Sequence, residues 1–239
     1  MVQNFNDRVQ QVLQSHPGQR VCRFDYQGQY YWLKQAEVLH GTMRMLKPNP
    51  QLAIENEKQT LQALELKAAP VPRVVSEGPG YFVVEDAGST LKDWLNTPGV
   101  DCETLQQIFE DSATALAHLH TMGLAHGRPA LRDISWQQGQ VTFIDFEANQ
   151  PKRSMLFQHI RDLVVYIHSL YRYLGPLNEN IGSIIACYRN AGGEQIWQET
   201  KRFLASWQWL YYLLRPLRDL GGRDVRPIYW LLWHFRHAS

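Results

Sequence analysis

The sequence predicts an α+β plan of two lobes, a small β-rich N-terminal lobe followed by a larger helical one. Up to about residue 86, four short runs rich in Val, Phe, Tyr and Trp are separated by Gly- and Pro-containing turns and by one helical stretch. Beyond Ala87-Gly88 the apolar residues fall at helical spacing instead. The chain has 239 residues and is 44% hydrophobic, enough for one ordinary domain or two small lobes. The expected division is 1–86 and 87–239, with a ligand expected in the cleft between the lobes.

Each element has a local reason. Residues 5–15 have helical character that Pro17-Gly18 stop. Arg20 to Tyr26 and Gln29 to Lys34 read as a β-hairpin around Gln27-Gly28, with Lys34 near the end of its second strand. After a loop closed by Pro48-Asn49-Pro50, good helix formers from Gln51 to Lys67 carry Leu52, Leu61 and Leu64, and Pro70-Val71-Pro72 end that helix. Arg73 to Ser76 and Tyr81 to Glu85 read as strands around Gly78-Pro79-Gly80.

In the second lobe, Ser89 is the expected N-cap of a short helix through Trp94. Leu105, Ile108, Phe109, Leu116 and Leu119 predict a helix over Cys102 to Met122. A loop and a hairpin around Gly139 lead to an apolar strand, Val141 to Phe146. From about Ser154 onward the chain reads as helices broken at Gly175-Pro176, Gly192-Gly193 and Gly221-Gly222.

Composition narrows the function classes. Twenty-four Lys plus Arg against 23 Asp plus Glu give a net charge of +1, so no global field draws the molecule to nucleic acid. Three scattered cysteines, Cys22, Cys102 and Cys187, support neither a zinc site nor a disulfide framework and suit a reducing cytoplasm. No signal-peptide pattern opens the chain, and no apolar run is long enough to span a bilayer. No Gly-x-Ser-x-Gly and no Cys/His nucleophile arrangement supports a hydrolase.

The chemistry-bearing stretch is His126-Gly-Arg-Pro-Ala-Leu-Arg-Asp133 followed by Phe143-Ile-Asp145-Phe-Glu147. Two carboxylates twelve residues apart, one in a loop and one at a strand end, can converge on one divalent cation. Oxygen ligands of this kind suit Mg²⁺, which keeps positions for water and phosphate. Each aspartate alone also fits a turn residue that satisfies nearby backbone N–H groups. A lysine on an N-lobe strand and a glutamate on the next helix complete a charged set.

Taken together and in this order, the pieces resemble the protein kinase-like fold, closest to its small atypical members, the bacterial lipopolysaccharide kinase group and the RIO type. The resemblance covers roughly residues 20–170. It implies that Lys34 holds the α/β-phosphates of ATP, that Glu57 rather than Glu55 pairs with it, and that the backbone at Glu85 and Ala87 faces adenine. It implies that Asp145 binds the metal, with Glu147 in the third place of Asp-Phe-Gly, and that Asp162 braces the catalytic loop. The cofactors implied are ATP and Mg²⁺; the partners implied are a nucleotide and a hydroxyl acceptor, such as a lipopolysaccharide core sugar or a protein.

Two departures from the family pattern bear on activity. In His-x-Asp-x-x-x-x-Asn the aspartate accepts the proton and the asparagine binds metal. Laid on His126, the register puts Arg128 at the base position and Asp133 at the asparagine position, and a guanidinium with a pKa above about 12 is no base. The other register, on Arg132-Asp133, makes Asp133 the base and puts Gln138 at the asparagine position. The His126 register, with seventeen residues from Arg128 to Asp145, is preferred over the twelve of its rival. In addition, no Gly-x-Gly-x-x-Gly precedes Lys34. The expected function is therefore an ATP/Mg-dependent phosphotransferase with His126, Arg128 and Asp133 as its catalytic set and Asp133 and Asp145 as metal ligands. The alternative is a pseudokinase scaffold in which Arg128 quenches the site.

The last 43 residues, Trp197 to Ser239, hold five of the eight tryptophans and a local charge of +4. A helical core with a solvated basic rim is the preferred reading. A peripheral contact with the inner face of a membrane comes second, and single-stranded nucleic acid stacked on the aromatics is a weaker third. His118 and His120 are expected to serve the last carbonyls of their helix, and His159 and His168 to act as packing residues.

Overall fold

The computed structural model describes residues 4–37, 50–146, 153–176, 180–218, 221–222 and 224–237. The expected loop through Pro48-Asn49 and the third residue of Asp-Phe-Glu, Glu147, lie outside them. The chain is mixed α+β and divides into two compact units, Met1–Ala87 and Gly88–Ser239.

The first unit contains α1 (Phe5–Ser15), β1 (Val21–Tyr26), β2 (Gln29–Gln35), α2 (Pro50–Glu65), β3 (Val74–Gly78) and β4 (Tyr81–Glu85). Its four strands form one antiparallel sheet in the order β1-β2-β4-β3. Gln27 and Gly28 both have positive φ, which matches the right-handed strand twist and makes a two-residue hairpin turn. Alternation along the strands then assigns the faces. Cys22, Phe24, Leu33 and Val83 bury one face against Val9 and Val12 of α1. On β2, Lys34 necessarily points to the other face, where α2 buries Ile54, Glu57, Leu61 and Leu64.

The second unit opens at Gly88, whose φ is +83 and where an added Cβ would stand 2.7 Å from the Gln137 side-chain oxygen, so a side chain is excluded there twice over. Next comes α3 (Leu91–Leu95), capped by Thr90 and not by Ser89. The hydroxyl of Thr90 accepts from Asp93 N while the Asp93 carboxylate takes the Thr90 N–H, a reciprocal capping box that Ser89, with Lys92 three residues on, cannot form. Asp101 caps α4 (Cys102–Thr121) by accepting from Thr104 N.

The hairpin of β5 (Ile134–Gln137) and β6 (Gln140–Phe143) turns on Gln138-Gly139, again with both φ values positive. The strand expected to run to Phe146 stops at Phe143, because Asp145 takes φ +66 and turns the chain out of the sheet.

Ser154 caps α5 (Met155–Leu174), which Gly175 ends. After α6 (Ile181–Tyr188) the expected break at Gly192-Gly193 is a kinked wide turn with φ +108 at Gly192, and α7 (Glu194–Ala205) follows directly. An unexpected break at Ser206-Trp207 separates α7 from α8 (Gln208–Leu214), after which a short 3-10 turn (Arg215–Leu217) precedes α9 (Val225–His237). Leu116, Leu163, Ile167, Ile184 and Tyr188 are fully buried in this unit, as is Trp197, which stacks on Phe235 at 4.3 Å. The basic, aromatic tail thus splits in two: Trp197, Tyr229 and Phe235 are core, whereas Trp207, Trp209, Tyr212 and Trp233 are exposed. No helix among the described residues is long and apolar enough to cross a membrane.

Candidate functional site

Within the first unit, Lys34 and Glu57 form an ion pair with side-chain exposures of 19% and 4%. The helical phase that puts Leu61 and Leu64 into the core puts Glu57 there too, one turn earlier. The rival Glu55 faces outward, where Lys58 and Gln59 bind it and hold its carboxyl below the usual range. Phe82, paired with Lys34 across the sheet, sets a ring face 6.0 Å from its ammonium. Glu85 closes β4, donates its N–H to the Arg73 carbonyl and faces Arg73 across 3.9 Å; Ala87, two residues on, is half-buried. The hairpin turn ahead of Lys34 is only two residues long and offers no extended backbone cradle for phosphate.

In the second unit the loop from Leu124 to Asp133 is held from beneath by one carboxylate. Asp162, fully buried on α5, accepts from the backbone N–H of His126 at 2.7 Å and of Gly127 at 2.8 Å. Gly127 has φ +97, a conformation that lets two successive N–H groups point at the same anion and that a side chain would oppose. His120 of α4 completes the clamp: its Nε2 lies 3.5 Å from Asp162, and its Nδ1 lies 2.8 Å from the Tyr188 hydroxyl. His159 stacks on His120 at 4.3 Å and meets the Leu124 carbonyl at 2.9 Å through Nε2; burial holds its imidazole down to about 4, so the stacked ring is neutral. Farther along the loop, Ser169 Oγ accepts from Leu131 N at 2.9 Å.

His126 joins this loop to the strand end. Its Nε2 can only donate to the Ile144 carbonyl, 2.8 Å away, so Nδ1 is left to accept from Arg128 N at 3.2 Å. That fixes a neutral tautomer, and burial holds the imidazole below its ordinary pKa. Ile144 N in turn donates to the Asp133 carbonyl at 2.9 Å. Asp133 and Asp145 are therefore fastened to each other by the backbone on either side of them, and His126 has a positioning role.

Arg128 is the residue the two carboxylates share. Its Nη2 lies 3.2 Å from Asp145 Oδ2 and its Nε 3.6 Å from Asp133 Oδ2. Arg132 approaches the other Asp133 oxygen at 3.6 Å. Arg128 Nη2 donates a hydrogen bond to Asp145, whereas the contacts with Asp133 are looser: Asp133 Oδ2 and Arg128 Nε are buried and neither has a hydrogen-bond partner. Burial, opposed by both arginines, pushes the Asp133 carboxyl up to about 6. An oxygen buried without a donor, beside a second carboxylate, fits a hard cation better than it fits a closed salt bridge. Among the described residues no group of three or more His, Cys, Asp or Glu is placed to hold a metal ion.

Lys34 and Glu57 thus meet in one unit, and His126, Arg128, Asp133 and Asp145 meet in the other. Reading the sequence alone misses the role of His120, whose partners are 42 and 68 residues away. The one available signal is that His120, unlike His118, falls on the buried face of its helix with Leu116 and Leu119.

No family model matches the chain. It is similar to a protein of Haemophilus influenzae (strain Rd) described as an uncharacterized protein, with 37% identity over 226 residues that cover 95% of this chain and 93% of that one.

Proposed function

This chain belongs to one family with that Haemophilus influenzae protein, and we propose that it is an ATP- and Mg²⁺-dependent phosphotransferase of the protein kinase-like type. The observation that carries the reading is that Asp133 and Asp145 both reach the one guanidinium of Arg128, with a buried Asp133 oxygen left unpartnered. The Lys34–Glu57 pair supplies the second part of the charge set, a lysine pre-oriented by a buried carboxylate. Mg²⁺, when bound, neutralises phosphate charge and aligns the transferred group.

The chain's own residues would divide the remaining work. Lys34 binds phosphate oxygens. Asp162, His120 and His126 hold the loop in place. Arg128, 40% exposed, hydrogen-bonded to Asp145 and in looser contact with Asp133, would turn onto the charge that builds on the transferred phosphoryl group. A guanidinium cannot take the hydroxyl proton, but a loose phosphoryl transition state needs charge neutralisation and positioning more than proton removal, so Asp133 serves the metal and Arg128 the phosphoryl charge. The nucleophile is a substrate hydroxyl, with a lipopolysaccharide core sugar as the leading candidate class, acting at the inner face of the membrane or in the cytoplasm.

Mg-ATP should raise the melting temperature of the protein, and Lys34→Met and Asp145→Asn should each abolish the shift. Absence of a shift in the wild type would overturn nucleotide binding altogether. A second reading has its own support: Arg128 contacts both carboxylates, as a built-in counter-ion would in a non-catalytic scaffold. Transfer of label from γ-labelled ATP to lipopolysaccharide or casein, lost in Asp133→Ala, rejects the scaffold; binding without turnover establishes it.

A further inference from the structure

Helix α8 inverts the usual rule for a short helix packed on a core. None of its seven residues is buried. Trp209, Tyr212 and Leu213, at i, i+3 and i+4, form its outer face with exposures of 59%, 55% and 62%. Its inner face packs on α9, where Tyr211 stacks on Tyr229 at 4.9 Å. The apolar surface does not stop at α8, because Phe203, Trp207 and Leu217 are exposed before and after it. A patch of this composition on a folded domain is a contact surface.

Charge identifies what it contacts. Residues 203–237 contain five arginines and two aspartates, Asp219 and Asp224, a net charge of +3, and the Asp224 carboxylate is engaged by Arg172 at 2.7 Å. Arg215, Arg218, Arg226 and Arg236 are exposed. Arg236 sets its guanidinium 5.1 Å over the Tyr212 ring, so cation and aromatic face solvent together. Trp and Tyr in the company of arginine match the headgroup zone of a bilayer, where an amphipathic ring meets both chain and water and the arginine meets lipid phosphate. A second copy of this chain docking on the same face would set a net positive stretch against its own equal, which charge disfavours.

We propose that α8, with the flanking Trp207 and Leu217 and the arginines of α9, is a docking face for an anionic lipid bilayer, on which the protein rests without crossing. The inference is independent of the nucleotide reading. The test is sedimentation of the full chain with phosphatidylcholine vesicles that do or do not contain phosphatidylglycerol, read together with tryptophan emission. Expected are binding to the anionic vesicles with a blue shift, at least about tenfold weaker partition to the neutral ones, and loss of binding in salt near 1 M, where the screening length falls to about 3 Å. Trp209→Ser with Leu213→Ser should cut partition about tenfold or more, and Arg215→Gln with Arg236→Gln should remove the preference for anionic lipid. Because these side chains are exposed, circular dichroism of the variants should match the wild type. No vesicle binding, or equal binding to both vesicle types, overturns the proposal. So does a concentration-dependent dimer that Trp209→Ser dissociates, which assigns the face to a second copy.

Discussion

The chain holds two charged clusters built in opposite ways. Lys34 and Glu57 are a closed pair, one cation on one anion, both largely buried. Arg128, Asp133 and Asp145 are an open set, in which one guanidinium spans two carboxylates at 3.2 and 3.6 Å and leaves a buried oxygen unsatisfied. Burial with full pairing fixes a side chain in place; burial with slack keeps a site able to exchange its counter-ion. The first cluster orients, and the second is the one equipped to change partners.

The comparison breaks most severely if the foundation of the open set is removed. Asp162→Ala strands two buried backbone N–H groups and His120, and should cost about 3–5 kcal/mol, seen as a large fall in the urea midpoint. In the closed pair, Lys34→Met leaves the Glu57 carboxylate buried and alone, at a cost of about 2–4 kcal/mol. Lys34→Met with Glu57→Leu should recover most of that loss, which a pair valued only for its attraction would not do.

The open set should also show itself in pH dependence. Asp133 is raised to about 6, above the ordinary carboxylate range, so the native state binds its proton more tightly than the unfolded chain does. Its contribution is fully present below about pH 4 and is lost as pH rises to about 6, a decline of up to about 2–3 kcal/mol that Asp133→Asn should remove. Divalent-cation affinity should run the other way, rising from pH 5 to 7 as the carboxyl ionises. Smaller still is Arg128→Ala, about 1–2 kcal/mol at pH 7.5 after solvent screening, since the side chain is 40% exposed. Millimolar Mg²⁺ should restore that stability in the variant more than it stabilises the wild type. Equal effects of Mg²⁺ on both would mean that the cation and the guanidinium do not compete.

How far these clusters are legible in the sequence depends on how local their causes are. Glu57 is separable from Glu55 because one helical turn, four residues, ties it to Leu61. Arg128, Asp133 and Asp145 lie within seventeen residues, and a hairpin closed by Gln-Gly brings them together. The cap of α3 reads one residue early, at Ser89, although only Thr90 has an acid three residues on. The end of β6 was not legible, because the apolar run Val141 to Phe146 gives no sign that Asp145 adopts a left-handed backbone. Nor was the outward face of α8, since Trp, Tyr and Leu at helical spacing ordinarily mark a buried one. The two-unit α+β plan is present in the structure, and the finer likeness to kinases rests on the proposal above.

The φ of +66 at Asp145 has a consequence for how this protein would evolve under heat. Glycine in its place relieves about 1 kcal/mol of steric cost, partly offset by the lost contact with Arg128. A library screened only for survival at high temperature should therefore enrich glycine or asparagine at 145, at the expense of the carboxylate. Under the proposed phosphotransfer, heat tolerance and metal binding would pull this one position in opposite directions, and only selection for that activity would keep the aspartate.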